Sequence, residues 1–331
     1  MIGIDEAGYG PNLGPLCVAA TAWRVEPRAE RRRKKGEGER AGVAVAAPRD
    51  LYAALADVVS ATPDGNRITI ADSKLLYKPV SRAKNCGLRH LERGVLTALG
   101  VCGKPAADLQ ELLRPPPVPW YADYNCRLPI DTAQTELAAL ANRFLEASAA
   151  AATELVDLHT RLVFPEEFNQ LVTHHGTKGA ALSHVSIELV KSLLTHLPDL
   201  YPPTRVSITF DKHGGRNHYG ALLQHHFPEH WIETVEEGRA RSQYRWGDGE
   251  SRVDVVFRTK GEAELPVALA SMTAKYHREL AMRAFNAFWT QRVSGLRPTA
   301  GYPQDAKRFK AEIAAVQYEL GIADQWLWRT R

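Results

Sequence analysis

MIGIDEAGYGPNLGPLCVAATAW, residues 1–23, is the stretch whose reading decides the fold. Ile2 and Ile4 flank Gly3 in the alternation of a β-strand, and the run is predicted to stop at two adjacent acids, Asp5 and Glu6. A turn rich in Gly8, Gly10, Pro11, Gly14 and Pro15 follows. Apolar residues then resume from Leu16 to Trp23. Two apolar runs split by turn residues read as antiparallel strands, with a connection longer than a tight hairpin.

The same placement of acids recurs downstream. RITI (67–70) reads as a short strand ending at Asp72-Ser73-Lys74, and RVSITF (205–210) as a strand that delivers Asp211. VDVVF (253–257) is a further strand, closed by Thr259-Lys260-Gly261-Glu262. Between them the middle of the chain reads as helical. Asp131 and Gln134 resemble a capping box, and Leu137, Leu140, Phe144, Leu155, Leu158 and Leu162 recur at helical spacing, as two helices. RPPPVPWY (114–121) is predicted irregular, since proline has no N–H and disfavours helix before it. Helices are predicted from about Ser183 to Leu194, over 267–292 with Pro266 in the first turn, and over 304–320 closed by Gly321. Alternating strands and helices with no internal repeat predict one α/β domain over 1–331, with insertions at about 27–49, 100–165 and 213–252.

If the strands before Asp5-Glu6, Asp211 and Glu262 are neighbours, their acids converge at one sheet edge, where open α/β sheets bind ligands. Packed carboxylates repel unless cations neutralise them. Oxygen donors without cysteine or fixed histidine suit Mg²⁺ or Mn²⁺, and two such ions can activate water and stabilise the leaving oxygen of a phosphodiester. The alternative is that acids at strand ends cap turns and meet solvent.

The 331 residues carry 42 Lys+Arg against 38 Asp+Glu, a net charge of +4, with ordinary globular hydrophobicity. No run approaches the ~18 uncharged apolar residues of a membrane span. The acids at the start are unlike a secretory leader, and four cysteines without CxxC spacing argue against a disulfide framework or a thiolate zinc site. A soluble, cytoplasmic chain is expected, with no membrane contact and nothing that points to an obligate protein partner.

Gly3-Ile4-Asp5-Glu6-Ala7-Gly8-Tyr9-Gly10-Pro11 with Gly14-Pro15 resembles the DEAGRGP…GP signature of type 2 ribonucleases H. In the family's order, Asp72-Ser73-Lys74-Leu75 resembles its DSK-L block and Ile208-Thr209-Phe210-Asp211 the strand that ends in its third carboxylate. Lys260-Gly261-Glu262 with Ala270-Ser271-Met272-Thr273-Ala274-Lys275 is similar to its KGD…ASxxAK block, and Gly301-Tyr302-Pro303 to its late GY element. The resemblance implies an RNase H-like mixed sheet flanked by helices, with long insertions. It also implies metal-dependent cleavage of RNA paired with DNA, or at ribonucleotides in a duplex, leaving 3′-hydroxyl and 5′-phosphate ends. Asp5, Glu6, Asp211 and Glu262 would then be the catalytic, metal-holding acids, for two Mg²⁺ or Mn²⁺ ions. Gly8 and Gly10 would meet the 2′-hydroxyl region, Lys74 a phosphate, and Tyr302 the sugar beyond the cut.

The chain departs from the pattern at three places. Glu262 stands where most type 2 enzymes have Asp, although type 3 ribonucleases H also use a Glu. Tyr9, at a substrate-binding position, replaces an Arg and so removes a guanidinium fork from the groove. Thr299-Ala300 replace two polar groups before Gly301. A nuclease of the same fold acting on structured DNA, and a non-catalytic nucleic-acid-binding module, are the other readings.

Remaining signals read as follows. Pro11 and Pro15 interrupt the glycines that would otherwise suit a dinucleotide loop. Arg31-Arg32-Arg33-Lys34-Lys35 is either a solvated tip or a phosphate grip. Trp231, Arg239, Arg241, Tyr244, Arg245 and Trp246 form either a single-strand binding surface or a packed flap. His213 is expected at the surface. Glu279 is expected to pair with Arg278 or Arg283, or to stand beside the metals. Zinc at His174-His175, His225-His226 and His230 is disfavoured, because Pro228 interrupts and no Cys is near.

Overall fold

In a computed structural model, residues 1–26, 49–77, 87–196 and 205–330 are described. The Arg31–Lys35 run lies outside them. In chain order the elements begin with β1 (Ile2–Ala7), β2 (Leu16–Val25), α1 (Leu51–Ala54), β3 (Val59–Ser60), β4 (Ile68–Thr69), α2 (Ser73–Leu76) and α3 (Arg89–Val101). Then come α4 (Leu109–Leu113), α5 (Pro119–Ala122), α6 (Gln134–Ala150), β5 (Thr153–Val163), α7 (Pro165–His175) and α8 (Lys178–His196). The last are β6 (Val206–Asp211), α9 (Gly220–His226), β7 (Glu233–Glu237), β8 (Arg241–Trp246), β9 (Val253–Arg258), α10 (Leu265–Arg292), α11 (Pro303–Glu319) and α12 (Asp324–Leu327).

The main sheet has the order β5-β2-β1-β6-β9-β8-β7. β1 pairs antiparallel with β2, and β2 with β5. On its other side β1 runs parallel to β6, and β6 parallel to β9. β8 and β7 close the far side as an antiparallel pair. Strand periodicity sorts the side chains into two cores. Ile2, Ile4, Ile208, Phe210, Val255 and Phe257 face α7, α8 and α9. Cys17, Ala19 and Trp23 face α10, α3 and α6. This is the RNase H-like mixed sheet flanked by helices that the resemblance implies.

α10 is the long axis of the second layer, 28 residues and so about 42 Å. Its residues are buried almost all round, because it lies on β1 and β2 with one face and against α3, α4 and α5 with others. The approach to β1 is close. A Cβ on Gly3 would lie 2.3 Å from the carbonyl carbon of Pro266 and 2.4 Å from the nitrogen of Val267.

Several local expectations are corrected. Leu155, Leu158 and Leu162 lie on a strand, not a helix. Ala22 pairs with Asp157 and Trp23 with Leu155, so Val156 is a bulge residue. The bulge brings residues three apart onto one face and so imitates a helical period. The capping box does not form. The Asp131 carboxylate instead accepts from the Leu88 N–H at 2.5 Å, while Glu92 takes the N–H groups of Ile130 and Asp131. RPPPVPWY ends in one helical turn, α5, that starts at Pro119 and buries Trp120 and Tyr121. β1 does not stop at Asp5 but carries both acids within the strand. In the 213–252 stretch Tyr244 and Trp246 are buried while Trp231 stands exposed, which makes β7 and β8 a packed extension of the sheet. Among the described residues no helix is long and apolar enough to cross a membrane.

Candidate active site

Register builds the site. Ile4 pairs with Phe210 across parallel strands, so Asp5 and Asp211 come one step later on adjacent strands. Adjacent strands run about 4.8 Å apart, and registered residues of a parallel pair point to the same face. That face is the α10 side, where Ser271 acts on the Asp5 carboxyl and opposes its rise. Ser271 Oγ in turn meets Ser73 Oγ at 3.1 Å, which ties the turn carrying Lys74 to α10. Asp72 caps that turn by accepting from the Lys74 N–H at 2.9 Å.

Glu262 arrives from the other direction. Lys260 has φ 59°, and a single 3₁₀ turn, Gly261–Ala263, joins β9 to α10. The Gly261 N–H donates to Asp211 Oδ1 at 2.9 Å, which locks this turn over the end of β6. A Cβ on Gly261 would come within 3.2 Å of the Asp211 backbone. Lys74 Nζ sits 3.6 Å from Glu262 Oε1, with most of its side chain open to solvent.

Electrostatics records how closely these groups are gathered. Burial pushes the Asp5 carboxyl well above its ordinary range, and Glu6, Asp211 and Glu262 add to the push. Glu6 is raised to about 7, by burial first and by Asp211 and Glu262, against the opposing pull of Lys74. Asp211 is raised by burial, although the Gly261 N–H and Lys74 work against it. Glu262 is raised by burial, with Asp211 and Asp72 contributing. For Lys74 burial acts to lower the ammonium, but Asp72, Glu262, Asp5 and Asp211 leave it raised. The four acids are therefore close enough to feel one another and short of positive charge. Hard oxygen donors with uncompensated charge fit Mg²⁺ or Mn²⁺. They are spread more widely than a closed coordination shell. Among the described residues only His184, His225 and His226 gather three ligand atoms within 4.8 Å of one another.

The other expected positions surround this corner. Gly8, at φ +90°, leaves no room for a Cβ between Pro15 O and the Arg278 side chain. Gly10 is exposed and lies 3.7 Å, from its would-be Cβ, to the ring of Tyr302, itself 58% exposed. The Tyr9 hydroxyl reaches towards Gly179 and Gly214, at the start of α8 and in the loop after Asp211.

Sequence reasoning missed what holds the Gly8–Pro15 loop. Arg329, almost at the other end of the chain, is buried and donates to the carbonyl oxygens of Gly8 at 2.6 Å, Tyr9 at 3.2 Å, and Pro11. Arg278 donates to Ala300 O at 2.9 Å and reaches Leu13 O and Pro15 O. Burial and the neighbouring Arg278 push the Arg329 guanidinium down to about 9, which leaves it charged at neutral pH. No local motif marks these residues, since all their partners but Ala300 are backbone carbonyls more than 260 positions away. Arg329→Met should leave three loop carbonyls without a donor and cost about 2–4 kcal/mol. A denaturation midpoint unchanged from the parent chain would refute the anchoring.

Two further expectations are corrected. His213 is buried, not superficial: its Nδ1 lies 3.0 Å from Ser183 Oγ, and burial holds it down to about 3. Glu279 pairs with Lys275 at 2.6 Å instead of with Arg278 or Arg283.

No protein-family model matches the sequence, and no curated protein matches it. Solved structures it resembles include RNase HII from Archaeoglobus fulgidus in a complex with PCNA, at 15% identity over 100% of this chain and 93% of that chain, TM-score 0.38. Ribonuclease H2 from Pyrococcus horikoshii OT3 matches at 12% identity over 98% and 90%, TM-score 0.38. RNase H3 from Aquifex aeolicus matches at 13% identity over 99% and 71%, TM-score 0.36. By its own strand order and register, the fold of this chain is RNase H-like.

Proposed function

We propose that this chain is a divalent-metal-dependent nuclease that cuts the RNA strand of RNA–DNA hybrids, or duplexes containing ribonucleotides, to leave 3′-hydroxyl and 5′-phosphate ends. The observation that carries the reading is the register of β1 against β6, which sets Asp5 beside Asp211 where Glu6 and Glu262 repel both. Asp5, Glu6, Asp211 and Glu262 would hold the ions. Bound Mg²⁺ or Mn²⁺ would supply an activated water and offset charge on the leaving oxygen.

The chain's own residues do the rest by positioning. Two of the acids stand on neighbouring strands of a buried sheet and so cannot drift apart. Lys74 is anchored at its backbone through Asp72 and Ser73, while its exposed ammonium is free to meet a phosphate beside Glu262. The loop of Gly8 and Gly10 would present its remaining backbone groups to the 2′-hydroxyl region, with the Gly8 and Tyr9 carbonyls held by Arg329 and Gly10 exposed. Tyr302, exposed beside Gly10, offers a ring face to a sugar.

Tyr9 favours a second reading, a structured DNA substrate, because the groove lacks the guanidinium fork at that position. The deciding measurement is cleavage of matched all-DNA, hybrid and single-ribonucleotide duplexes in Mg²⁺ and in Mn²⁺. Cuts confined to substrates with a 2′-hydroxyl, and abolished by EDTA, are expected. Equal cutting of all-DNA duplexes would transfer the function to the second reading. No cutting of any duplex would leave a binding module.

A further inference from the structure

We propose that His184, His225 and His226 form a zinc site, separate from the four acids and independent of the nuclease reading. His184 lies on α8, and His225 and His226 end α9. One ligand atom from each falls within 4.8 Å of the other two. His184 Nδ1 is 2.9 Å from His226 Nε2, and the His225 ring centre is 5.6 Å from that of His184 and 5.2 Å from that of His226. His175, at the end of α7, stacks on His184 at 3.7 Å, with His174 edge-on to it.

Five helix-borne imidazoles in contact need a reason. A hydrogen bond between two neutral imidazoles uses one lone pair and leaves the others directed at like groups, whereas a shared cation would use three at once. Three imidazole nitrogens are the donor set of zinc with an open fourth position, and borderline nitrogen donors select Zn²⁺ over Mg²⁺. Glu188, one turn beyond His184 on α8, brings a negative charge that acts on His175. Lys191 donates to the backbone carbonyl oxygen of His226 at 2.7 Å and so brings a positive charge beside the cluster.

The placement gives the ion a purpose. Ser183, next to His184, meets His213 two residues after Asp211, and α9 follows Tyr219, whose hydroxyl takes the His213 N–H. Zinc would thus clamp α8 to α9 on either side of the loop that supports the third carboxylate.

The test uses the full chain stripped of metal and titrated with Co²⁺ and then Zn²⁺. Co²⁺ at one equivalent should give the intense visible bands of tetrahedral nitrogen coordination, which Zn²⁺ should bleach. His225→Gln, at an exposed position, and His184→Gln should each weaken Zn²⁺ binding by about tenfold or more, while Asp5→Asn leaves it unchanged. The proposal is overturned if the native chain retains no Zn²⁺ at about 0.1 mM. It is overturned equally if both histidine variants bind as the parent does, or if only Asp5→Asn abolishes binding. Matching circular dichroism of the variants and the parent separates lost ligation from lost fold.

Discussion

Asp5→Asn and Asp211→Asn should each lower cleavage of an RNA–DNA hybrid by about 10³-fold or more, with the fold intact. Asparagine keeps the shape and one oxygen but removes the charge that would hold a divalent ion. The same change should stabilise the chain when metal is absent. Burial and three neighbouring acids hold the Asp5 carboxyl well above its ordinary range, so its ionised form is a cost that the fold carries. The metal-free melting temperature of Asp5→Asn should therefore rise by about 2–4 °C.

The pH dependence has a definite sign. A carboxyl raised by folding binds protons in the folded state that the unfolded chain has already released. Its contribution is most favourable below the unfolded value and declines as pH rises. For Glu6 the window runs from its ordinary value of 4.5 to about 7. Across it the metal-free chain should lose about 2 kcal/mol, less than full linkage because Glu6 is partly exposed and screened. Saturating Mg²⁺ should remove most of that slope in the parent chain and little of it in Asp5→Asn. Full activity of either variant, or a metal-free stability that climbs from pH 5 to 7, would end the metal-site assignment.

Much of this was legible in the first 23 residues and in the acids after three later strands, because a strand's two-residue period and the chemistry of a carboxylate are both local. The register that makes Asp5 and Asp211 neighbours is not local, yet each acid directly follows a short apolar run, and parallel pairing of such runs leaves few alternatives. The misreadings have a common cause. Val156 bulges out of β5 and gives Leu155 and Leu158 a helical spacing that belongs to a strand. Asp131 looked like a cap because the Leu88 N–H that claims it comes from elsewhere in the chain. Arg329 carries no motif, since its partners are carbonyls brought to it by the closing of α12 against the N-terminal loop. The histidines were weighed in adjacent pairs, while the member that joins them, His184, lies alone in sequence on α8.

Gly3→Ala should be strongly damaging. Gly3 pairs with Thr21 on β2 and Thr209 on β6, so its side-chain direction is fixed by ladders on both sides. In that direction lies backbone, not a pliable side chain. The new methyl would fall 2.3 Å from Pro266 C and 2.4 Å from Val267 N. Neither atom can yield alone, because Thr21 Oγ1 donates to Pro266 O at 2.9 Å and the start of α10 is packed on β1 and β2. The helix would have to lift as a unit. Overpacking against rigid backbone at a buried site should cost about 3 kcal/mol or more, read as a lower denaturant midpoint. The loss should reach the site as well, since the lifted segment is the one that carries Glu262 just before α10 and Ser271 nearly two turns into it. Activity should therefore fall further than the folded fraction does, because Ser271 would leave Asp5 and the Gly261 N–H would leave Asp211. A Gly3→Ala chain as stable as its parent to within about 1 kcal/mol would mean that α10 does not sit on β1 this closely. The convergence of Glu262 on the two aspartates would then lack its structural cause.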